Sequence, residues 1–203
     1  MKLINLSGSD KVVLELRKGQ LSETGVLPLV DVSPGVEFDV DFSVAVVDDH
    51  LKSKEIIKKF AGLGDVGVII FDAHVDCLNS DDLVPFLSGF IDKKNIIIVG
   101  AREWSKDEWY FIKNHGIKVY SMKEIAFEGK EAVCDAVMAV AKDFGALYVS
   151  IDGDVLEPET GGMNVRELIY FIQRLKRLKN FKAADLAEFK DAKVMAKIIR
   201  ELA

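Results

Sequence analysis

From residue 43 onward, short apolar runs rich in β-branched residues alternate with longer amphipathic segments, and that rhythm admits few folds. The short runs are FSVAVV (42–47), VGVIIF (66–71), NIIIVG (95–100), IKVY (117–120), ALYVSI (146–151) and AADLAEF (183–189). Nearly continuous apolar character over so few residues reads as a strand buried on both faces. Helical patterns fill the intervals at 52–62, 105–116, 130–145, 164–179 and 191–203. Ser105 and Asn164 stand where N-caps belong, and Gly62 and Gly116 where helices stop. This alternation predicts an α/β fold of three layers, α/β/α, around a mainly parallel sheet. Residues 1–40 depart from the rhythm. There KLINLS and KVVLELR predict a hairpin or an added edge strand, and SETGVLPLVDVSPGVEFDV predicts loop with short extended pieces. We read the 203 residues as a single domain with a divergent portion at 1–40.

Composition narrows the function classes. A net charge of −6 with no basic stripe argues against nucleic acid as a partner. The N-terminal MKLINLSGSDK lacks the apolar segment of a secretory signal, and no apolar run reaches membrane-spanning length. Two cysteines, Cys77 and Cys134, are too few for a disulfide framework and read as free thiols in a reducing cytosol. A cytoplasmic protein with a small-molecule substrate is expected, with homo-oligomerisation left open.

Chemistry gathers where the predicted strands end. FDAHVD (71–76) closes one strand and SIDGDVLEP (150–158) another, while Asp48, Asp49 and His50 follow a third. Ligands of open parallel sheets bind beyond the carboxyl ends of the strands. In extended chain, residues two apart face one side, so Asp72, His74 and Asp76 share a face, as do Asp152 and Asp154. Gly153 adds no bulk between the last pair. Gathering carboxylates and imidazoles is costly without a cation, and oxygen ligands with a borderline nitrogen suit Mn²⁺, Mg²⁺, Fe²⁺ or Zn²⁺. Two such clusters predict a two-metal hydrolytic site.

Each of these residues has a plainer use. A single aspartate at a strand end is most often a turn or cap residue, and a single histidine such as His50 is more often on the surface than a ligand. Five independent caps in this arrangement would be odd, and the cluster overrides the single-residue reading. His115 fits a helix C-terminus, Trp104 and Trp109 fit packing, Arg102 a surface or structural charge, and RLKRLK (174–179) a solvated helix face.

At these residues the sequence resembles the ureohydrolase family of arginase and agmatinase. Asp72, Ala73, His74 and Asp76 match the family's D-A-H-x-D, and Ser150, Asp152, Asp154 and Pro158 match S-x-D-x-D-x-x-D-P, with Glu157 in place of the last Asp. G-G-D-H-S survives as Asp49 and His50, and E-x-N-P as Glu188 alone. The resemblance runs from about residue 43 to the end. It implies two Mn²⁺ ions, one held by His50, Asp72, Asp76 and Asp152, the other by Asp72, His74, Asp152 and Asp154, with Asp72 and Asp152 bridging. It further implies that Asp76 orients the attacking water and that Glu188 faces the guanidinium or amidine of the substrate. The expected activity is hydrolysis of a C–N bond in a guanidino or formimidoyl compound. The alternatives are a metal-dependent amide hydrolase and a non-catalytic metal-binding protein on the same fold. The family's loop after D-A-H-x-D is longer and carries a histidine; DCLNSDDLVPFLSGF (76–90) has none.

Overall fold

The computed structural model describes residues 2–5, 29–31, 42–62 and 64–203. Eight strands form one sheet: β1 (Lys2–Asn5), β2 (Leu29–Asp31), β3 (Ser43–Val47), β4 (Val66–Phe71), β5 (Ile96–Val99), β6 (Lys118–Tyr120), β7 (Ala146–Asp152) and β8 (Phe181–Ala187). Their order is β2-β1-β3-β8-β7-β4-β5-β6, and every neighbouring pair is parallel. KLIN is a strand, but its parallel pairing with β2 and β3 rules it out of a hairpin with either, since hairpin strands are antiparallel. The edge is LVD, from a stretch expected to be mostly loop. KVVLELR (11–17) lies outside the described residues.

Seven helices accompany the sheet among the described residues: α1 (Ser53–Ala61), α2 (Leu83–Leu87), α3 (Lys106–His115), α4 (Met122–Glu128), α5 (Lys130–Ala141), α6 (Val165–Leu175) and α7 (Ala192–Leu202). Strand parity sorts the core into two. Ile69 and Phe71 of β4 belong with Ile125, Val137, Phe171 and Ile198, on α4 to α7. Val68 and Ile70 belong with Ile57, Leu87 and Ile112, on α1 to α3. Burial on both faces explains why the strands are apolar throughout, and the three layers match the expectation.

Local chemistry sets the helix ends. Ser105 accepts from the Glu108 amide while Glu108 accepts from the Ser105 amide, a reciprocal capping box. Asn164 and Glu167 do the same for α6. Gly116 takes the left-handed conformation that stops α3, at φ 69°. His115, beside it, meets the Phe111 carbonyl at 2.8 Å, as a helix-end histidine should. Trp104 and Trp109 differ from expectation: they stack on each other at the surface, 38% and 47% exposed, rather than packing inside.

Topology fixes the place of the site. From β4 the chain moves outward through β5 to β6, and from β7 it moves the other way to β8. Adjacent β4 and β7 therefore send their loops in opposite directions and open a crevice between their carboxyl ends. Asp72 directly follows β4 and Asp152 ends β7, so both lie at that crevice.

Candidate metal centre

After β3 the chain makes a 3-10 turn, His50–Lys52, capped by Asp49, whose Oδ1 accepts from the Leu51 amide at 2.8 Å. The turn directs His50 inward and leaves Asp48 outside, bound to Lys52. His50 Nδ1 then lies 3.2 Å from Asp72 Oδ2 and 3.0 Å from Asp152 Oδ2. Across the crevice, His74 Nδ1 lies 2.8 Å from Asp154 Oδ2 and 3.6 Å from Asp72 Oδ1. Backbone amides complete the frame: His74 N donates to Asp72 Oδ1 at 2.8 Å, Asp154 N to Asp152 Oδ1 at 2.8 Å, and Ala73 N to Asp154 Oδ1 at 3.1 Å.

Two groups that could hold a metal ion result, His50–Asp72–Asp152 and Asp72–His74–Asp154, each with its donor atoms within 4.8 Å of one another. Asp72 belongs to both. Asp152 belongs to the first alone, and its Oδ1 accepts the Asp154 amide, so the expected second bridge is not drawn by this geometry. Asp76 stands outside both groups. Its φ of 37° shows why: the chain turns after β4, and the alternation that put Asp76 on the face of Asp72 and His74 fails there. Glu188, at φ 56°, follows β8 and is exposed, with Oε1 accepting the His50 amide at 3.0 Å.

The electrostatics fit divalent cations. Burial opposes charge on His50, but hydrogen bonds to Asp152 and Asp72 overcome it and hold the imidazolium well above the usual range. Hydrogen bonding to Asp72 lifts His74 to about 9. Burial works to raise Asp72, and the two histidines outweigh it, leaving the carboxyl below its ordinary value. Asp154 is pushed to about 6 by burial and by Asp72 and Asp152. Asp76 is also pushed to about 6, by burial and by Asp72. Three neighbouring carboxylates thus face two imidazoles that favour their protonated form, and divalent ions can replace those protons at the same nitrogens. Imidazole and carboxylate are donors suited to first-row divalent metals.

Sequence reading missed what stands behind His50. Its Nε2 meets Ser150 Oγ at 2.9 Å, and Ser150 Oγ donates to Asp185 Oδ2 at 3.2 Å. Ser53 Oγ donates to the same Oδ2 at 2.5 Å. Tyr148 faces Asp185 in the same buried place, and burial raises the pKa of both groups. An aspartate in the middle of AADLAEF was the available clue, because a carboxyl buried in a strand needs a partner.

A cavity of about 360 Å³ adjoins the open ligand group, lined by His74, Asp76, Glu103, Trp104, Ser105 and Glu108. A larger one of about 590 Å³ lies by the starts of β4 to β6, beside Asp65, Asn95 and Lys118, and none of the ligands lines it. Position beside the ligands outweighs size in locating the chemistry.

Residues 41–197 match the model of the arginase family, and the chain belongs to that family. The formimidoylglutamase of Halalkalibacterium halodurans is 32% identical over 162 residues, covering 69% of this chain and 51% of the relative. An arginase of Staphylococcus aureus is 26% identical over 232 residues, covering 91% and 76%. The match thus spans about half the length of the first relative. Among solved structures, arginase from Bacillus cereus superposes with a TM-score of 0.78 at 21% identity, covering 99% of this chain and 97% of that one. Formimidoylglutamase from Bacillus subtilis gives 0.80 at 18% identity, covering 99% and 85%. These structures share the fold. No helix among the described residues is long and apolar enough to cross a membrane.

Proposed function

We propose that the chain is a binuclear, manganese-dependent hydrolase of C–N bonds in guanidino or formimidoyl compounds. The carrying observation is two ligand groups that share Asp72 at the crevice between β4 and β7. His50, Asp72 and Asp152 would hold one ion, and Asp72, His74 and Asp154 the other. Two bound ions would polarise the substrate and lower the pKa of water between them.

The chain's own residues then have distinct tasks. Asp72 would offset the repulsion between two dications, a role supported by its Oδ2 facing His50 and its Oδ1 facing His74. Asp76, on the cavity wall beside His74, would accept a proton from the attacking water. Glu188 would face the planar cation of the substrate with Oε2 while Oε1 holds the His50 amide. Glu103 and Glu108 add negative charge to the cavity and suit a cationic substrate. Water adds to the amidine carbon, and the C–N bond breaks as the departing amine takes up a proton. The loop at 76–90 has no histidine to supply it, so turnover of arginine or agmatine should be slow. A reducing, cytoplasmic setting suits two buried free thiols, each pushed by burial to about 12.

The missing histidine favours one competing reading, a metal-binding protein without catalysis. Mn²⁺-loaded protein should be offered guanidino and formimidoyl compounds and assayed for urea, formamide and free amine. Urea assigns a guanidino substrate and formamide a formimidoyl one. Full metal loading with neither product would overturn the catalytic reading.

A further inference from the structure

We propose that Arg102 is a positioning residue that fixes Asp154, and through it the solvent-facing half of the metal centre; this rests on the binuclear reading above. The Arg102 side chain is 12% exposed and reaches across the crevice from the end of β5. Its Nη1 donates to the Asp154 carbonyl at 3.2 Å and its Nη2 to Glu157 Oε2 at 2.9 Å. Its backbone amide donates to the Ala73 carbonyl at 2.9 Å, and the Ala73 amide donates to Asp154 Oδ1 at 3.1 Å. One residue therefore grips both acidic motifs, FDAHVD through its main chain and SIDGDVLEP through its guanidinium.

The two-pronged hold needs the planar fork of arginine, because a lysine ammonium is a single point that cannot meet both acceptors in the same geometry. Lys190 also pairs with Glu157 at 2.8 Å, but it is 83% exposed, and such pairs contribute little. Gly162 makes room for the arm. A Cβ there would stand 2.9 Å from Arg102 Nη1 and 2.8 Å from the Val155 carbonyl. The Asp154 carboxyl is held by the Ala73 amide and the exposed His74, whereas His50 has the buried Ser150 and Asp185 behind it. Loss of Arg102 should thus loosen one half of the centre and spare the other.

The test is Mn²⁺ titration of the metal-free full chain, wild type and the variants R102K, R102M and G162A, by calorimetry and by electron paramagnetic resonance. Melting temperature in chelator reports any plain loss of stability. Wild type should take two ions and show the exchange-coupled spectrum of a close pair. R102M and R102K should keep one tight ion, bind the second about 10–100-fold more weakly, and show an isolated-ion spectrum at one equivalent. G162A should move in the same direction. Two equally tight ions in R102M and R102K would overturn the role of Arg102, as would equal weakening of both. Wild type that takes fewer than two ions would instead overturn the binuclear reading and the inference with it.

Discussion

The ligand groups meet at Asp72, yet one is sealed and the other faces solvent: His50 is 5% exposed, while the His74 side chain is 51% exposed. Behind His50 stand Ser150 of β7 and Asp185 of β8, and Ser53 of α1 donates to the same Asp185 oxygen. Behind Asp154 stands one guanidinium, and in front of His74 lies the cavity. Low dielectric strengthens ion binding only where every donor is held, so the sealed half should bind first and release last. The open half keeps space beside it for water and substrate. A two-ion hydrolase would need both properties; here the sealed group adds His50 from the end of β3, whereas the open group draws on the ends of β4 and β7 alone.

Removing the shared carboxylate should erase the difference. Asp72→Ala should lose both ions, and activity on the best substrate should fall by about 10³-fold or more, since metal chemistry contributes several kcal/mol. Asp154→Ala should lose only the open ion, which elemental analysis would separate from the first case. A second ion retained in Asp72→Ala would remove it from its shared position.

Weakening the brace should sharpen the difference in reverse. Asp185→Asn should lower affinity at the sealed half by about 10–100-fold while the open half keeps its own. Competitive chelation measures both steps in one titration.

The metal-free protein should also respond to pH. His74 has a folded value of about 9 against an ordinary 6.5, so its stabilisation is full below 6.5 and is lost as pH rises through 9. Asp154 and Asp76, raised from 3.8 to about 6, act likewise in the window between those values. Melting temperature in chelator should therefore fall from pH 4 to 9. With Mn²⁺ the trend across the upper window should reverse, because binding displaces the His74 proton.

The smallest effect is a control. Asn164→Ala removes the cap of α6 and should cost about 1 kcal/mol of stability, with both metal affinities unchanged.

The sequence was most legible where one residue type has one use. Apolar runs from 42 to 189 marked six of the eight strands, and Ser105, Asn164 and Gly116 marked helix ends, because caps act locally. KLIN was legible as a strand, but its parallel partners, and the three-residue β2 at the edge, are set by pairing with distant strands, which no local pattern reveals. The five-residue α2 is too short for a helical period, whereas α4 was announced by Ser121 and Glu124, a capping box passed over. The gathering of His50, Asp72, His74, Asp152 and Asp154 at one crevice was legible from their strand ends. The place of Asp76 was not, because one positive φ overrides the alternation used to place it. The role of Arg102 was illegible for a different reason: its acceptors are 52 and 55 residues away in sequence.

The most direct measurement is anomalous diffraction from a crystal equilibrated with Mn²⁺ above the manganese edge. Two peaks about 3.5–4 Å apart should appear, one against His50 and Asp152 and one against His74 and Asp154, with Asp72 touching both. A single peak, or two that do not share Asp72, would contradict the binuclear site.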